Sequence, residues 1–406
     1  MVKKLSKFVT LLLSVMVLAI ALTGCEVKSE RLERIKQIKP EVSYGYTAVG
    51  NNSLTIDFKV YNYQKLACEL VRNKEENTYP YGQKLAGNYM YFYYQYDSRK
   101  TKKGSNNKYV FDVGLFRVNI NTAKCELVYD FKSVSVNASH NPNVGAVVDE
   151  NRAVLNYNGT ISIFNLNTLK ITESIEDCPY YLSEFYDYIK FDKNTLYYYE
   201  LDGYSFKLHK LENASGEFVN RFENYIYTSS RGGVWNDCFD LTTNTKIDKD
   251  VLLKKMEEVD NKKYEEEYQN RTEEDAYIID GKKYYLDLYD ELTIYSESEY
   301  IRNEYNEIDY NENREVLYTI DEEFLNKNSQ VFNDLYYLWD KNPRQYEVNY
   351  FWVIDGKLYV AVSASYSWAA QTPSYVYQCD LENNKVYYVG FIDEVSNPNN
   401  CVLQLH

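Results

Sequence analysis

Few residues of this sequence have the types and spacing of a catalytic centre. The chain contains only three histidines, His140, His209 and His406. Histidine is the commonest general acid–base residue and a frequent zinc ligand, so a His-based catalytic centre or a zinc site has little to build from here. The sequence also has no Gly-x-Ser-x-Gly nucleophile elbow, no phosphate-binding glycine loop and no Cys-x-x-Cys pair. We therefore assign no catalytic residue, no metal site and no cofactor, and we expect a protein that is not an enzyme.

Three tryptophans are the candidates for ligand binding. Trp235, Trp339 and Trp368 lie near predicted turns, and Trp368 stands in a loop of small residues that offers little to bury an indole ring. An exposed aromatic ring on a rigid surface gives a sugar or a peptide a large contact area at little ordering cost. The alternative is that these rings cover the edges of sheets, and the sequence leaves both readings open.

The charge of the chain argues against one class of partner. The sequence carries 45 Lys and Arg against 60 Asp and Glu, a formal net charge of −15. Nucleic-acid binding depends on neutralising phosphates with basic side chains, so we expect no nucleic-acid partner. Acidic residues concentrate between residues 257 and 323. This region is predicted to be a solubilising surface that could also attract cations or a basic partner.

The elements that position these residues are predicted to be short strands in hairpins. The clearest unit is Val353–Val360, in which Asp355-Gly356 separates two runs rich in β-branched and aromatic residues, and Ile278–Tyr285 repeats it. Asp-Gly favours a tight two-residue turn because glycine accepts positive φ. Five similar turns bring the number to seven, and they lie at residues 51–52, 87–88, 150–151, 193–194 and 232–233.

The turns are mostly 40 to 50 residues apart, and a second hairpin follows several of them. This all-β pattern resembles the β-propellers, in which each blade is a four-stranded antiparallel sheet. The resemblance implies seven blades, with six or eight open, over residues 42–406. A pair of β-sandwich domains is the alternative, since they also consist of short strands with frequent turns.

Two segments break the strand pattern. Apolar residues recur at helical spacing from Asp250 to Arg271, which predicts a helix in an acidic insertion near residues 250–273 with Asp250 as its N-cap. A second, shorter helix is predicted from Asp321 to Phe332.

The N-terminus has the order of a secretory signal. Three lysines within the first seven residues precede an apolar run from Phe8 to Leu22, which is short for a membrane span. The run ends in Leu22-Thr23-Gly24-Cys25, which resembles the lipobox of bacterial lipoproteins. The resemblance implies a signal peptide over residues 1–24, lipidation of Cys25 and a tether over residues 25–41. Cys25 would then hold the protein on the membrane.

Six further cysteines are predicted to be free, buried thiols. Cys68 and Cys125 both begin the letters Cys-Glu-Leu-Val, and we interpret them as equivalent strand positions in different blades. An exported chain with six cysteines can also form disulfides, for which Cys379 with Cys401 is the candidate pair.

Taken together, these features predict a lipid-anchored β-propeller on the outer face of a bacterial cell membrane. Its predicted role is a binding or scaffolding module for a protein or a glycan. One alternative is a polysaccharide-active hydrolase or lyase that uses Asp, Glu and Tyr near the propeller axis. Another is a sensor or assembly subunit of a membrane complex.

Overall fold

The structure is a computed structural model that describes most of the chain from residue 34 onwards. The described residues are 34–50, 53–71, 80–101, 108–137, 144–157, 160–176, 180–182, 187–230, 233–274, 276–289, 291–305, 308–329, 331–332, 334–335, 345–365, 373–393 and 401–406. The predicted signal peptide and Cys25 lie outside them. Within the described residues, no helix is long and apolar enough to cross a membrane.

Antiparallel strands form most of the regular structure. In chain order they are β1 (Tyr46–Val49), β2 (Ser53–Ile56), β3 (Lys59–Asn62), β4 (Tyr81–Ala86), β5 (Tyr89–Thr101), β6 (Lys108–Asn119), β7 (Cys125–Asn137), β8 (Gly145–Val147), β9 (Arg152–Tyr157), β10 (Thr160–Asn165), β11 (Lys170–Ile175), β12 (Tyr180–Leu182), β13 (Asp187–Asp192), β14 (Thr195–Asp202), β15 (Ser205–Glu212), β16 (Phe218–Phe222), β17 (Tyr225–Ser229), β18 (Trp235–Asp240), β19 (Thr245–Ile247), β20 (Ala276–Ile279), β21 (Lys282–Leu288), β22 (Leu292–Tyr295), β23 (Tyr300–Arg302), β24 (Ile308–Tyr310), β25 (Val316–Ile320), β26 (Gln345–Ile354), β27 (Lys357–Ser365), β28 (Ser374–Asp380), β29 (Lys385–Ile392) and β30 (Val402–Leu405). The helices are α1 (Tyr63–Val71), α2 (Lys249–Glu274) and α3 (Glu322–Asn328).

The described strands form seven four-stranded sheets and one two-stranded sheet, β23–β24. Each four-stranded sheet is antiparallel, and most consist of four strands that follow one another in the chain. The predicted all-β fold class is confirmed, with the repeated four-stranded sheets of a β-propeller. The number of blades and the domain limits stay predictions.

The chain divides into two compact units. The first comprises the described parts of Met1–Val60, Asp275–Ile301 and Asp309–His406, and the second those of Tyr61–Glu274 and Arg302–Ile308. The sheets of the first unit have the strand orders β3-β2-β1-β30, β20-β21-β22-β25 and β26-β27-β28-β29. The second unit contains the sheets β4–β7, β8–β11, β12–β15 and β16–β19.

In the first unit the last strand of the chain completes a sheet that the first strands begin. β30 pairs with β1 along its whole length, from Tyr46 opposite Leu405 to Val49 opposite Val402. One face of the β26–β29 sheet packs on this sheet through Tyr46, Tyr359 and Val389. A side chain at Gly390 would overlap the ring of Tyr46, so a glycine is needed for this close approach. The other face packs on the β20-β21-β22-β25 sheet.

In the second unit each sheet packs on the next through an apolar cluster. Leu115 and Phe164 belong to the cluster between the first two sheets, and Ile163 and Phe206 to the next one. A third cluster, which includes Leu196 and Phe239, joins the last two sheets. α1 packs against β5 and β7. Burial of both faces explains why large aromatic residues fill these strands.

The predicted Asp-Gly hairpins are present. Asp280 and Gly281 have φ of 50° and 77°, and Asp355 and Gly356 have 51° and 71°, as a tight hairpin turn requires. The seven predicted turns are not equivalent, however. Those at 87–88, 150–151, 280–281 and 355–356 join the first two strands of a sheet, whereas those at 193–194 and 233 join the second and third. The two widest spacings separate turns of the same kind, and they contain the long strands β5–β7 in one case and β23, β24 and α3 in the other.

The helix in the acidic insertion is confirmed as α2. Its predicted N-cap is wrong by two residues, because Asp248 Oδ1 accepts from the Asp250 N–H at 2.8 Å. Leu252 is buried beneath the helix. The second helix is confirmed as α3, which Asp321 caps by accepting from the Phe324 N–H at 2.8 Å.

The predicted equivalence of Cys68 and Cys125 is wrong. Cys68 lies in α1, and its Sγ is 2.6 Å from the Tyr94 hydroxyl, whereas Cys125 begins β7. Both are only partly buried, whereas Cys238, Cys379 and Cys401 are buried, and all five are free thiols. Burial raises the pKa of the Cys379 thiol to about 12.

Candidate functional site

Of the three candidate tryptophans, Trp235 is the one that the described residues include. Trp339 and Trp368 lie outside them, as do Cys25 and His140. Trp235 lies in β18, and its ring stacks on Tyr227 with centroids 4.1 Å apart. The ammonium group of Lys249 is 5.4 Å from the indole centroid. Part of the ring is therefore covered by the protein itself, and a ligand-binding role for Trp235 stays a prediction.

The described residues form a cleft in the first unit that could take a ligand. It has a volume of about 450 Å³ and lies between β25 and α3, and we call it the strand–helix groove. β25 contributes three consecutive residues, Leu317, Tyr318 and Thr319. The helical wall consists of Asp321, Glu323, Phe324, Lys327 and Asn328, and Asn384 lines the groove from the β28–β29 turn.

The strand wall is an edge of its sheet. β25 has the sequence Val-Leu-Tyr-Thr-Ile, whose β-branched and aromatic residues favour a strand. It pairs with β22, with Thr293 opposite Thr319 and Ile294 opposite Tyr318. Ile320 is buried in the core of the unit, whereas Val316 and Leu317 are exposed. Within the described sheets β22 is the one partner strand of β25, so β25 is the edge strand of this sheet.

The helical wall is fixed at both ends and by its buried side. Asp321 caps the first turn, and the Ser329 N–H donates to the Leu325 carbonyl at 2.9 Å at the last turn. Leu325 is fully buried and holds α3 against the core of the unit. Lys327 and Asn328 follow Phe324 by three and four positions, which places both beside Phe324 on one side of the helix. That side lines the groove.

The third wall belongs to the neighbouring sheet. Asp380 organises the β28–β29 turn, because its Oδ1 accepts from the Asn383 N–H at 3.0 Å. Burial raises the pKa of Asp380, but the hydrogen bonds from Asn383 outweigh it and leave the pKa below its usual value. Asn384 completes the turn with φ of 49°. An ion pair of 2.6 Å between Lys282 and Glu382 ties the turn to β21.

The groove lies in an acidic part of the sequence. Residues 309–329 hold six carboxylates and two basic side chains. One of the two, Arg314, stacks over the Tyr295 ring at 3.5 Å and reaches Asp287 at 3.4 Å. Lys327 is the other, and it lines the groove together with Asp321 and Glu323. The local potential therefore favours a ligand with positive groups.

A buried polar cluster in the second unit has residue types that also occur in catalytic sites. His209 is buried, with Nδ1 at 2.7 Å from Asn244 Oδ1 and Nε2 at 3.1 Å from Glu200 Oε2. Arg221 donates to Glu200 Oε1 at 2.6 Å. Burial raises the pKa of Glu200, but the hydrogen bonds from His209 and Arg221 outweigh it and lower the pKa. These partners join the β12–β15 and β16–β19 sheets, so the cluster is satisfied by the protein itself.

Comparison with known proteins gives little beyond the fold. No protein-family model matches the sequence, and no curated protein matches it. Hsv2 of Kluyvelomyces marxianus is 14% identical over 71% of this chain and 83% of its own, with a TM-score of 0.22. An oligogalacturonate lyase of Vibrio parahaemolyticus is 9% identical over 75% and 86%, with a TM-score of 0.23. The β-propeller domain of the Trilobed protease of Pyrococcus furiosus is 10% identical over 88% and 100%, also with a TM-score of 0.23.

These comparisons correct one prediction. The expectation that the chain is not an enzyme is wrong as an exclusion, because the similar structures include a lyase and part of a protease. Their similarity to this chain is too low to assign an activity to it. The absence of catalytic motifs from the sequence therefore does not exclude an enzymatic activity.

Sequence reasoning predicted the helical wall of the groove, as a helix from Asp321, but neither the strand wall nor the groove itself. The sequence alone could not show that Asn384 lies beside the helix and the strand of the groove, because that contact depends on the packing of two sheets. The acidic composition of residues 257–323 was the available signal, and it pointed to a surface that could attract a basic partner.

Proposed function

We propose that the chain is a lipid-anchored, extracytoplasmic module that binds a partner protein through the strand–helix groove. The observation that carries the proposal is the edge strand β25, which has one partner strand among the described residues and which lines the groove with three consecutive residues. An edge of this kind presents backbone N–H and C=O groups that another chain can satisfy. A protein segment carries the matching groups along its whole length, which favours a protein over a glycan here.

The size and character of the groove support this role. A volume of about 450 Å³ lies within the range of ligand pockets, which is roughly 300 to 1,000 Å³. Tyr318 and Phe324 supply aromatic surface, and Asn328 and Asn384 supply amides that can donate and accept. Such a mixture holds a polymer segment by both apolar contact and hydrogen bonds.

The membrane location rests on the lipobox-like sequence that ends at Cys25. A single acyl chain binds a membrane only reversibly, whereas two or more chains anchor a protein stably, at about 0.8 kcal/mol per buried methylene. A lipid-modified Cys25 would keep the groove close to proteins of the same membrane surface. Confinement to that surface raises the effective concentration of such partners.

The binding role is tested by photo-crosslinking in native membranes. A photoreactive residue replaces Leu317, which is 37% exposed in the groove, and in a control replaces Ile278, which is 55% exposed in the same unit. Random collisions would label the more exposed control site at least as strongly. We expect a defined protein adduct at position 317 and none at 278. The substitution Glu323→Lys should remove the adduct, and equal adducts at both sites or none at either would reject the proposal.

A further inference from the structure

We infer that the strand–helix groove takes an extended, basic peptide segment, which pairs with β25 as an added strand of the β20-β21-β22-β25 sheet. This inference rests on the proposed function and adds to it the binding mode and the chemistry of the partner segment. It follows from the direction in which the groove runs, from the helix α3 on its other side, and from the acidic side chains that line it.

The line of the groove follows the backbone of β25. Successive side chains of a strand point to opposite faces of the sheet, so a pocket on one face touches every second residue. This groove is lined by the consecutive residues Leu317, Tyr318 and Thr319. That contact pattern arises where a groove runs beside the strand, along its edge. A ligand in the groove therefore meets the backbone of β25.

The helix opposite the edge suits an added strand. Peptide-binding domains that extend a sheet use main-chain hydrogen bonds for affinity and pockets for alternate side chains for specificity. Here Phe324 and Asn328 belong to the helical wall of the groove. One set of alternate side chains of a bound segment would contact this wall. The Asn328 side chain is held in place by its own hydrogen bond to the Phe324 carbonyl at 2.9 Å.

The charge selects a basic segment. Asp321 and Glu323 line the groove, and Lys327 is the one basic residue among its lining residues. Glu322 adds a further carboxylate on the exposed side of α3. Lys or Arg on the partner would complement this arrangement, and the attraction should weaken with salt because these groups are exposed.

The test uses a blocked peptide with alternating lysine and valine, acetyl-Lys-Val-Lys-Val-Lys-Val-amide, and the full chain. In an added strand only every second N–H pairs with β25. Two versions carry N-methyl groups on either the odd or the even residues. We expect one version to bind about tenfold more weakly or worse than the parent, and the other to bind within about threefold of it, by isothermal titration calorimetry.

A pair of protein variants locates the binding site. Glu323→Gln and Glu322→Gln remove the same charge from neighbouring positions of one helix, but only Glu323 lines the groove. We expect Glu323→Gln to weaken peptide binding several-fold and Glu322→Gln to leave it nearly unchanged at 0.15 M salt, where the Debye length is about 8 Å. Equal effects of both variants would indicate diffuse attraction and overturn the inference.

Three other results would also overturn it. They are no binding of the parent peptide, equal binding of both N-methylated versions, and binding of a neutral oligosaccharide such as tetra-N-acetylchitotetraose that Glu323→Gln removes. The peptide-binding test and the crosslinking test of the proposed function can fail independently of each other. A crosslink at position 317 without the N-methyl pattern would keep the protein-binding role and reject the added strand, whereas failure of both tests would reject both.

Discussion

Two chemically identical substitutions in the first unit should change stability in opposite directions. Tyr388 is fully buried, and the described residues offer its hydroxyl no hydrogen-bond partner. Tyr46 is also buried, but its hydroxyl accepts from the Phe391 N–H at 3.1 Å. Burial raises the pKa of both phenols, so both are neutral in ordinary buffers and charge does not enter the comparison.

The expected magnitudes follow from these two environments. A buried polar group without a partner destabilises a protein by about 1 to 3 kcal/mol, so Tyr388→Phe should stabilise the unit by about that amount. Tyr46→Phe removes an acceptor and leaves the buried Phe391 N–H unpaired, which should destabilise by about 1 to 3 kcal/mol. The two variants should therefore differ by about 2 to 6 kcal/mol in the free energy of unfolding.

Urea unfolding followed by near-UV circular dichroism measures this difference, and thermal unfolding provides a second reading. One kcal/mol corresponds to about 2 to 4 °C in the melting temperature for a cooperative unit of about 150 to 250 residues. Tyr377→Phe serves as a repeat, because its hydroxyl is equally buried and has no partner among the described residues. The reasoning is refuted if Tyr388→Phe and Tyr377→Phe destabilise as much as Tyr46→Phe. Buried water molecules would then satisfy those hydroxyls.

Three further results are expected. Gly356→Ala should lower the free energy of unfolding by about 1 to 2 kcal/mol, as measured by thermal unfolding. Gly356 has φ of 71°, and an added Cβ would meet no atom closer than 4.0 Å, so backbone strain accounts for the whole effect. Hydrogen bonds from His209 and Arg221 lower the pKa of Glu200 despite its burial. The ionised carboxylate therefore stabilises the fold at pH values above the usual glutamate pKa. This contribution to stability is lost as the pH falls through the lowered pKa. Glu200→Gln should flatten that acid dependence of stability, measured as urea midpoints from pH 7 to pH 3. Cys25→Ala should move the protein from the membrane fraction to the soluble fraction and abolish metabolic labelling with a palmitate analogue, whereas retention in the membrane would reject lipidation at Cys25.

The parts of the fold that the sequence revealed are those that local chemistry decides. Asp-Gly at 280–281 and 355–356 forms a tight turn wherever it lies between two strand-forming runs, because only glycine accepts the second positive φ without strain. Asp321 similarly predicts the start of α3, since its side chain satisfies a helix N–H. Such features need no knowledge of the rest of the chain.

A repeated turn joins the third and fourth strands of several sheets and forms the second hairpins that the sequence predicts. Four third strands end in Asn or Asp, whose side chain accepts from an N–H two or three residues later, and a buried Ile or Leu follows directly. The acceptors are Asn119, Asn165, Asp240 and Asp380, and the buried residues are Ile120, Leu166, Leu241 and Leu381. These turns contain no glycine, and the side chain of Asn or Asp organises them instead.

The identical letters at Cys68 and Cys125 show where local sequence fails. Cys-Glu-Leu-Val forms the end of α1 in one place and the start of β7 in the other. Tyr63, at the start of α1, stacks on Phe92 of β5 with centroids 5.5 Å apart, and this contact favours the helix. Packing against a neighbouring element therefore outweighs the weak preferences of four residues.

The groove illustrates how one set of charges can serve two purposes. An unpaired edge strand such as β25 invites pairing with a second copy of itself, and proteins discourage this with charged side chains near the edge. Two copies that paired antiparallel through β25 would bring Asp321 of each close to Glu315 of the other, and their repulsion would oppose the pairing. A basic segment meets no such repulsion and gains from the same carboxylates. The same acidity would thus oppose pairing of β25 with another copy and favour a basic partner.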